Sequence, residues 1–126
     1  MYKTVKEVCE LTGLNRKLLH DYDEQNIVKP SNYRTRGYED SNGKSYDGYK
    51  QYDEAAVMKL QQIAIFKKLG LERKEIKKKI TASDYNSIKV LDEQIEMLKA
   101  KKEEIENLIL LAEQLKYLGF KSEYSQ

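Results

Sequence analysis

The run from Asp84 to Leu118 contains neither glycine nor proline, and its apolar residues keep helical step. Ile88, Leu91, Ile95 and Leu98 are spaced by three and four; beyond Lys102 the stripe resumes with Ile105, Leu108 or Ile109, Ala112, Leu115 and Leu118. That spacing is an a/d seam lasting about four to five heptads. At about 1.5 Å per residue the helix is about 50 Å long. It outreaches the modest domain that the rest of the chain can build, so its stripe needs a partner. The same helix of a second chain is the economical choice, giving a two-fold dimer. The expected interface is Ile88, Leu91, Ile95, Leu98, Lys102, Ile105, Leu108, Ile109, Ala112 and Leu115, with Lys102 a wet position that helps fix register. The competing arrangement is a helix folded back on its own domain. Ser83 or Asp84 is expected to cap the helix and Gly119 to end it, leaving 119–126 as a polar tail with Phe120 and Tyr124.

At the other end, Thr4 to Tyr22 reads as two short helices with a tight turn between them. Thr4 followed by Glu7 is a capping box. Val5, Val8, Cys9 and Thr12 then share one helical face. Gly13 stands where a helix end needs a left-handed residue, and Asn15 is a second N-cap. Leu18, Leu19 and Tyr22 repeat on the second helix, and Asn26 offers its stop. Helix, glycine-bearing turn, helix is the arrangement whose second helix enters the DNA major groove, although many all-α proteins share the pattern with no DNA nearby. Val5, Val8 and Leu19 are assigned to the core.

Ile27 and Val28 read as an apolar plug, and Pro30 forbids helix continuation. Residues 31–52 change character: Tyr33, Tyr38, Tyr46, Tyr49 and Tyr52 mix with Arg34, Arg36, Lys44 and Lys50 around Asn42-Gly43, a strong turn dipeptide. This predicts a β-hairpin, a wing whose tyrosines and cations contact phosphates while rings pack its base. The alternative is an ordinary surface hairpin with tyrosines filling a small core, as expected for Tyr49 and Tyr52. Asp53 caps a third helix over roughly 54–69, with Val57, Leu60, Ile63, Ala64 and Phe66 inward, closed at Leu69-Gly70-Leu71. A fourth, over roughly 73–81, puts Leu71, Ile76 and Ile80 inward and Lys74, Lys77, Lys78 and Lys79 outward. That lysine run is a solvated face that also raises the local positive field.

Charge is unevenly spread although the net is only +2: residues 1–52 carry +1, 53–83 carry +4 and 84–126 carry −3. The balance suits a nucleic-acid binder with a separate partner-binding end. No apolar run approaches the roughly 20 residues of a membrane span, and the N-terminus lacks a signal peptide's apolar segment. One cysteine permits no intramolecular disulfide, which fits a reducing cytoplasm. Enzyme chemistry is not expected: there is no glycine-rich phosphate loop, and with one His and one Cys no nucleophile–base pair. Neither cofactor nor metal is expected, since Cys9 stands alone on an apolar face.

The order of parts, and several local motifs, resemble the MerR family of bacterial transcription regulators. Leu11-Thr12-Gly13-Leu14 resembles the family's Leu-Thr-Gly-Val turn. Tyr22-Asp23-Glu24 with Ile27-Val28-Lys29-Pro30-Ser31 resembles its Tyr-Asp/Glu-Glu … Leu-Leu-Lys-Pro-Ser segment. Gly48-Tyr49-Lys50-Gln51-Tyr52 before Asp53 resembles its Gly-Tyr-Arg-x-Tyr strand and cap. Leu69-Gly70-Leu71-Glu72-Arg73-Lys74-Glu75-Ile76 resembles its Leu-Gly-Phe-Ser-Leu-Glu-Glu-Ile turn and helix. The match covers about 1–81 in register, and the long helix matches in kind.

The resemblance implies an all-α chain with a small β-hairpin wing: a winged helix-turn-helix DNA-binding domain over 1–81, a long dimerisation helix over 82–118 that pairs as an antiparallel coiled coil, and a short tail over 119–126. It implies a homodimer on double-stranded DNA, at a pseudo-palindromic operator, distorting the promoter so that RNA polymerase is reached indirectly. Asn15, Arg16, Lys17, Leu18, His20 and Asp21 are the candidates for base edges or nearby phosphates. Tyr22, Tyr33, Arg34, Arg36, Tyr38, Tyr49 and Lys50 are the candidates for phosphate clamping. The chain departs from the family at His20-Asp21-Tyr22, where Arg-Tyr-Tyr is usual. A weaker, titratable donor replaces the arginine, and an aspartate repels phosphate unless it accepts from a cytosine amino group or orders a neighbouring arginine. The hairpin is also longer: Gly37-Tyr38 begins the usual closing strand and Gly48-Tyr49 repeats it, so 38–47 is an insertion that either extends the wing or forms a tip with no role. No effector is identified; eight residues beyond Leu118 are too few for a drug-sensing domain. The alternatives from other classes are a chaperone-modulator-like interaction module built on the same helices, and an excisionase-like architectural protein, which lacks the long helix.

Overall fold

The computed structural model describes residues 2–33, 38–39, 41–43, 45–46 and 50–124, with backbone alone at Tyr33, Tyr38, Glu39, Ser45, Tyr46 and 122–124. The chain divides into two compact units, Met1–Leu91 and Asp92–Gln126.

The first unit is built from short, strongly punctuated elements. Strand β1 (Lys3–Thr4) leads into α1 (Val5–Thr12), followed by α2 (Arg16–Glu24). The Thr4 hydroxyl accepts from the Glu7 amide at 3.2 Å while the Glu7 carboxylate accepts from the Thr4 amide at 3.0 Å, so the expected capping box forms. Gly13 closes α1 at φ 77°, a conformation that costs other residues about 1 kcal/mol or more. Asn15 opens α2, its Oδ1 accepting from the Leu18 amide at 2.8 Å. Among the described residues, Asn26, at φ 57°, is the non-glycine residue in the left-handed region, which an asparagine side chain tolerates. It turns the chain so that the Ile27 and Val28 amides both donate to the Tyr22 carbonyl, at 2.8 and 3.3 Å. The plug residues Ile27 and Val28 are accordingly buried.

The sheet has more strands than the sequence suggests. Strands β2 (Asn32–Tyr33) and β5 (Lys50–Tyr52) pair antiparallel, and β1 adds on the other side of β5, giving the order β1-β5-β2. Lys3 faces Tyr52, and Gln51 is shared by Thr4 and Asn32. Within the inserted segment, β3 (Tyr38–Glu39) pairs antiparallel with β4 (Ser45–Tyr46), Tyr38 opposite Tyr46. The intervening turn carries Gly43 at φ 80°. The insertion therefore contains a two-stranded ladder of its own.

Helix α3 (Glu54–Lys68) is capped by Asp53, whose Oδ1 accepts from the Ala56 amide at 2.8 Å. Leu60, Ile63 and Phe66 are wholly buried on it. With Val8, Leu19, Tyr22, Tyr52 and Ile80 they are the most deeply buried apolar residues of this unit. Burial at about 25 cal/mol per Å² makes this cluster the main source of its stability. Gly70, at φ 89°, separates α3 from α4 (Arg73–Ile80). Ile76 and Ile80 turn inward, and Lys74, Lys77 and Lys78 stay exposed. Lys79 is half-buried, its ammonium 5.9 Å from the Phe66 ring centre.

The long helix α5 spans Ser87–Tyr124, and both of its expected ends need correction. It begins beyond Ser83 and Asp84, capped by Asn86, whose Oδ1 accepts from the Lys89 amide at 3.0 Å. The preceding residues form a turn closed by Tyr85 N–H to the Ala82 carbonyl, because the Tyr85 hydroxyl is drawn to Gln62 Oε1 at 2.7 Å. At the far end Gly119 lies inside the helix. A helical glycine costs only about 1 kcal/mol relative to alanine, too little to break a regular backbone between Leu118 and Phe120. In the second unit Ile95, Leu98, Ile105, Leu108, Ile109 and Leu115 are between 44% and 60% exposed.

Candidate nucleic-acid interface

Helix α2 is two-faced. Leu19, Tyr22 and Asp23 point inward and are at most 8% exposed, while Arg16, Lys17, His20 and Glu24 point outward. Asn15 stands exposed at its mouth. Positions separated by three and four share a helix face, so Arg16 and Lys17 with His20 form one donor-rich surface. Leu18 and Asp21 are half-buried and border that surface. His20 Nε2 lies 3.1 Å from Glu24 Oε1, so the acid at the end of the helix is turned to the imidazole.

The inward face is held by groups that sequence reasoning did not foresee. Asp23 is 8% exposed, and its two carboxylate oxygens meet different cations. Oδ1 lies 3.0 Å from Lys29 Nζ and Oδ2 lies 3.4 Å from Lys50 Nζ. Lys29 Nζ also donates to the Asp23 carbonyl at 3.1 Å. One carboxylate thereby ties α2 to the following loop and to β5 at the base of the hairpin. A buried charge needs such pairing to be tolerated. Its only signal in the sequence is an acid on a face otherwise assigned to the core.

The tie changes what Lys50 is doing: its side chain is only 18% exposed and is committed to Asp23. Tyr22 is likewise core, at 2% exposure. Burial pushes its hydroxyl pKa upward, the nearby Arg73 cation opposes this, and Asp21 adds to it. Of the other clamping candidates, Tyr33 and Tyr38 sit in β2 and β3, and Arg34, Arg36 and Tyr49 lie outside the described residues. Asn15, Arg16, Lys17 and His20 are thus the candidates presented outward together.

Cys9 is half-buried. Among the described residues no cluster of three or more His, Cys, Asp or Glu side chains could hold a metal ion. No helix among them is long and apolar enough to cross a membrane.

Two short helices about a glycine turn, braced by a small antiparallel sheet with its hairpin and followed by a long helix, define a winged helix-turn-helix protein. No family model matches the chain. It is 30% identical over 105 residues, 83% of its length, to the HTH-type transcriptional activator mta of Bacillus subtilis, of which it covers 37%. The crystal structure of the HTH-type transcriptional regulator SkgA from Caulobacter crescentus superposes with a TM-score of 0.75 at 25% identity, covering 100% of this chain and 83% of that one. A MerR-family transcriptional regulator from Bacillus cereus shares the fold, with a TM-score of 0.53 at 21% identity over 100% of this chain and 86% of that one. The chain is thus similar in sequence to transcriptional regulators of the HTH type and shares its fold with a regulator of the MerR family. It spans about 37% of the length of the curated relatives it matches.

Proposed function

We propose that the chain is a DNA-binding transcriptional regulator of the cytoplasm that acts as a homodimer on a pseudo-palindromic promoter operator. The observation that carries this reading is the outward face of α2, where Asn15, Arg16, Lys17 and His20 are exposed together, with half-buried Leu18 at the border. A helix of this kind, braced from behind by Asp23 and Tyr22, is presented rigidly to a major groove, where arginine, lysine and asparagine read base edges. The hairpin lies on flanking phosphates and sets register rather than sequence preference. The exposed stripe of α5 pairs with its copy, so that two recognition helices meet two half-sites about one helical turn apart. Operator distortion, which realigns promoter elements for RNA polymerase, supplies the regulatory step; its cost of several kcal/mol is offset by the added contacts. The relatives' names, an activator and a regulator of the HTH type, support this reading.

The test is a footprint of the purified protein on DNA upstream of its own gene, at two salt concentrations. A protected dyad about two helical turns long is expected. Affinity should fall by about a thousandfold or more between about 50 and 200 mM salt, as expected for six or more phosphate contacts. Hypersensitive cleavage at the dyad centre would mark the distortion. Absence of protection at both salts overturns the reading in favour of a protein partner for α2.

A further inference from the structure

Asp21 is an awkward residue for a DNA-facing helix, because its charge opposes phosphate. In the fold it has a partner that the linear sequence does not show. Asp21 Oδ2 lies 3.9 Å from Arg73 Nη1, at the start of α4. The same guanidinium sits over the buried Tyr22 ring, 5.6 Å from its centre, within the range of a cation–π attraction. Arg73 is therefore oriented from two sides by consecutive residues of the recognition helix, yet its side chain remains 44% exposed. With Lys67, Leu71, Ile76 and Tyr22 it lines an open cavity of about 190 Å³ on the surface of the first unit.

The chemistry of this cavity is specific. Two of its lining groups are cations, and its remaining lining is apolar or aromatic. The 3.9 Å separation from Asp21 is too long for a hydrogen bond. Asp21 thus orients the guanidinium by charge and leaves its N–H fork for another acceptor. A planar fork of this kind fits a phosphate through paired charge-assisted hydrogen bonds. A lone aspartate would weaken DNA binding, and a lone arginine would be free to wander. Together they make a directed cation.

We propose that Arg73, assisted by Lys67, takes a DNA phosphate beside the recognition helix, and that Asp21 is the positioning residue that aims it. This rests on the DNA-binding reading above.

The test is a set of anisotropy titrations of the full chain on its footprinted operator across a salt series, with wild type, Arg73→Gln, Arg73→Lys, Asp21→Asn and the double variant Asp21→Asn/Arg73→Gln. Arg73→Gln is expected to reduce the salt slope by about 0.9 for each protomer, the value for one lost phosphate contact; Arg73→Lys should restore the slope. Asp21→Asn should weaken binding about threefold or more in the wild-type background, a coupling typical of contacting residues. In the Arg73→Gln background the same change should tighten binding, since only repulsion is then removed. A purely structural role would move melting temperature without this reversal of sign. An unchanged salt slope in Arg73→Gln, or tighter binding by Asp21→Asn in the wild-type background, overturns the proposal alone. Failure of the wild type to bind at any salt overturns the DNA-binding reading and this proposal with it.

Discussion

Glu7 and Lys17 show how differently two exposed charged residues act in one small domain. Glu7 closes the capping box of α1, and its pKa is lowered mainly by the hydrogen bond from the Thr4 backbone amide, then by that from the Thr4 hydroxyl. A depressed carboxyl pKa stabilises the folded state above the ordinary value near 4.5, and that contribution is lost as pH falls through the depressed value. Glu7→Gln should therefore flatten the acid limb of a stability-versus-pH curve while leaving neutral-pH DNA affinity unchanged. A parallel acid limb in the variant would show that the capping carboxylate does not titrate with folding. Lys17 is exposed on the outward face of α2. Lys17→Glu should lower operator affinity by about tenfold or more, because a phosphate contact becomes a repulsion. The circular dichroism spectrum and melting temperature should stay at wild-type values; unchanged affinity would remove Lys17 from the interface. The caps of α1, α2 and α3 and the glycine turn were legible in the sequence, because each depends on neighbours within about four residues. The role of Tyr22 was not: a tyrosine beside a recognition helix reads equally as a phosphate donor or a core ring until its 2% exposure is known.

At the scale of elements, the first unit depends on polar ties between segments that are distant in sequence. The Asp23 carboxylate joins α2 to Lys29 and, through Lys50, to β5. Asp23→Ala would leave two cations beside a vacated site. We expect a loss of about 1.5–3 kcal/mol, in line with hydrogen bonds to charged groups, read as a lower denaturant midpoint at unchanged m-value. A loss below about 0.5 kcal/mol would place this tie with ordinary surface ion pairs. A second tie joins α3 to the chain entering α5: buried Gln62 accepts from the Tyr85 hydroxyl at 2.7 Å and donates to the Ser87 carbonyl at 3.1 Å. Burial raises the Tyr85 hydroxyl pKa, an effect the Gln62 hydrogen bond opposes. This clamp explains why the long helix starts after Tyr85 rather than at Ser83 or Asp84. The local sequence pointed to Ser83 or Asp84, and a tertiary hydrogen bond moved the start to Asn86.

For the whole molecule, the question is what covers α5. Apart from half-buried Leu91, its expected seam residues are exposed in the isolated chain, and so are Leu110, Leu111, Tyr117, Leu118 and Phe120, each between 49% and 63%. The apolar surface of the C-terminal half is therefore broader than an a/d stripe, as the helical path through Gly119 allows. Leu98→Glu with Ile105→Glu should convert the protein to monomers in sedimentation equilibrium and lower operator affinity, since half-site cooperation is then lost. A surviving dimer would place the interface elsewhere along the helix.

Taken alone, the sequence determined the order of the helices, the caps of α1, α2 and α3 and the winged helix-turn-helix class. These follow from short-range hydrogen bonding and from apolar periodicity, and both are written in adjacent residues. Tertiary structure decided which charges are available to a ligand. Lys50, Asp21 and Arg73 look alike as exposed charges in a linear reading; folding commits Lys50 to Asp23 and sets Arg73 between Asp21 and the Tyr22 ring. The physical reason is that a charge's partner is set by the packing of whole elements, and a separation of a few ångströms across two helices has no trace in sequence spacing.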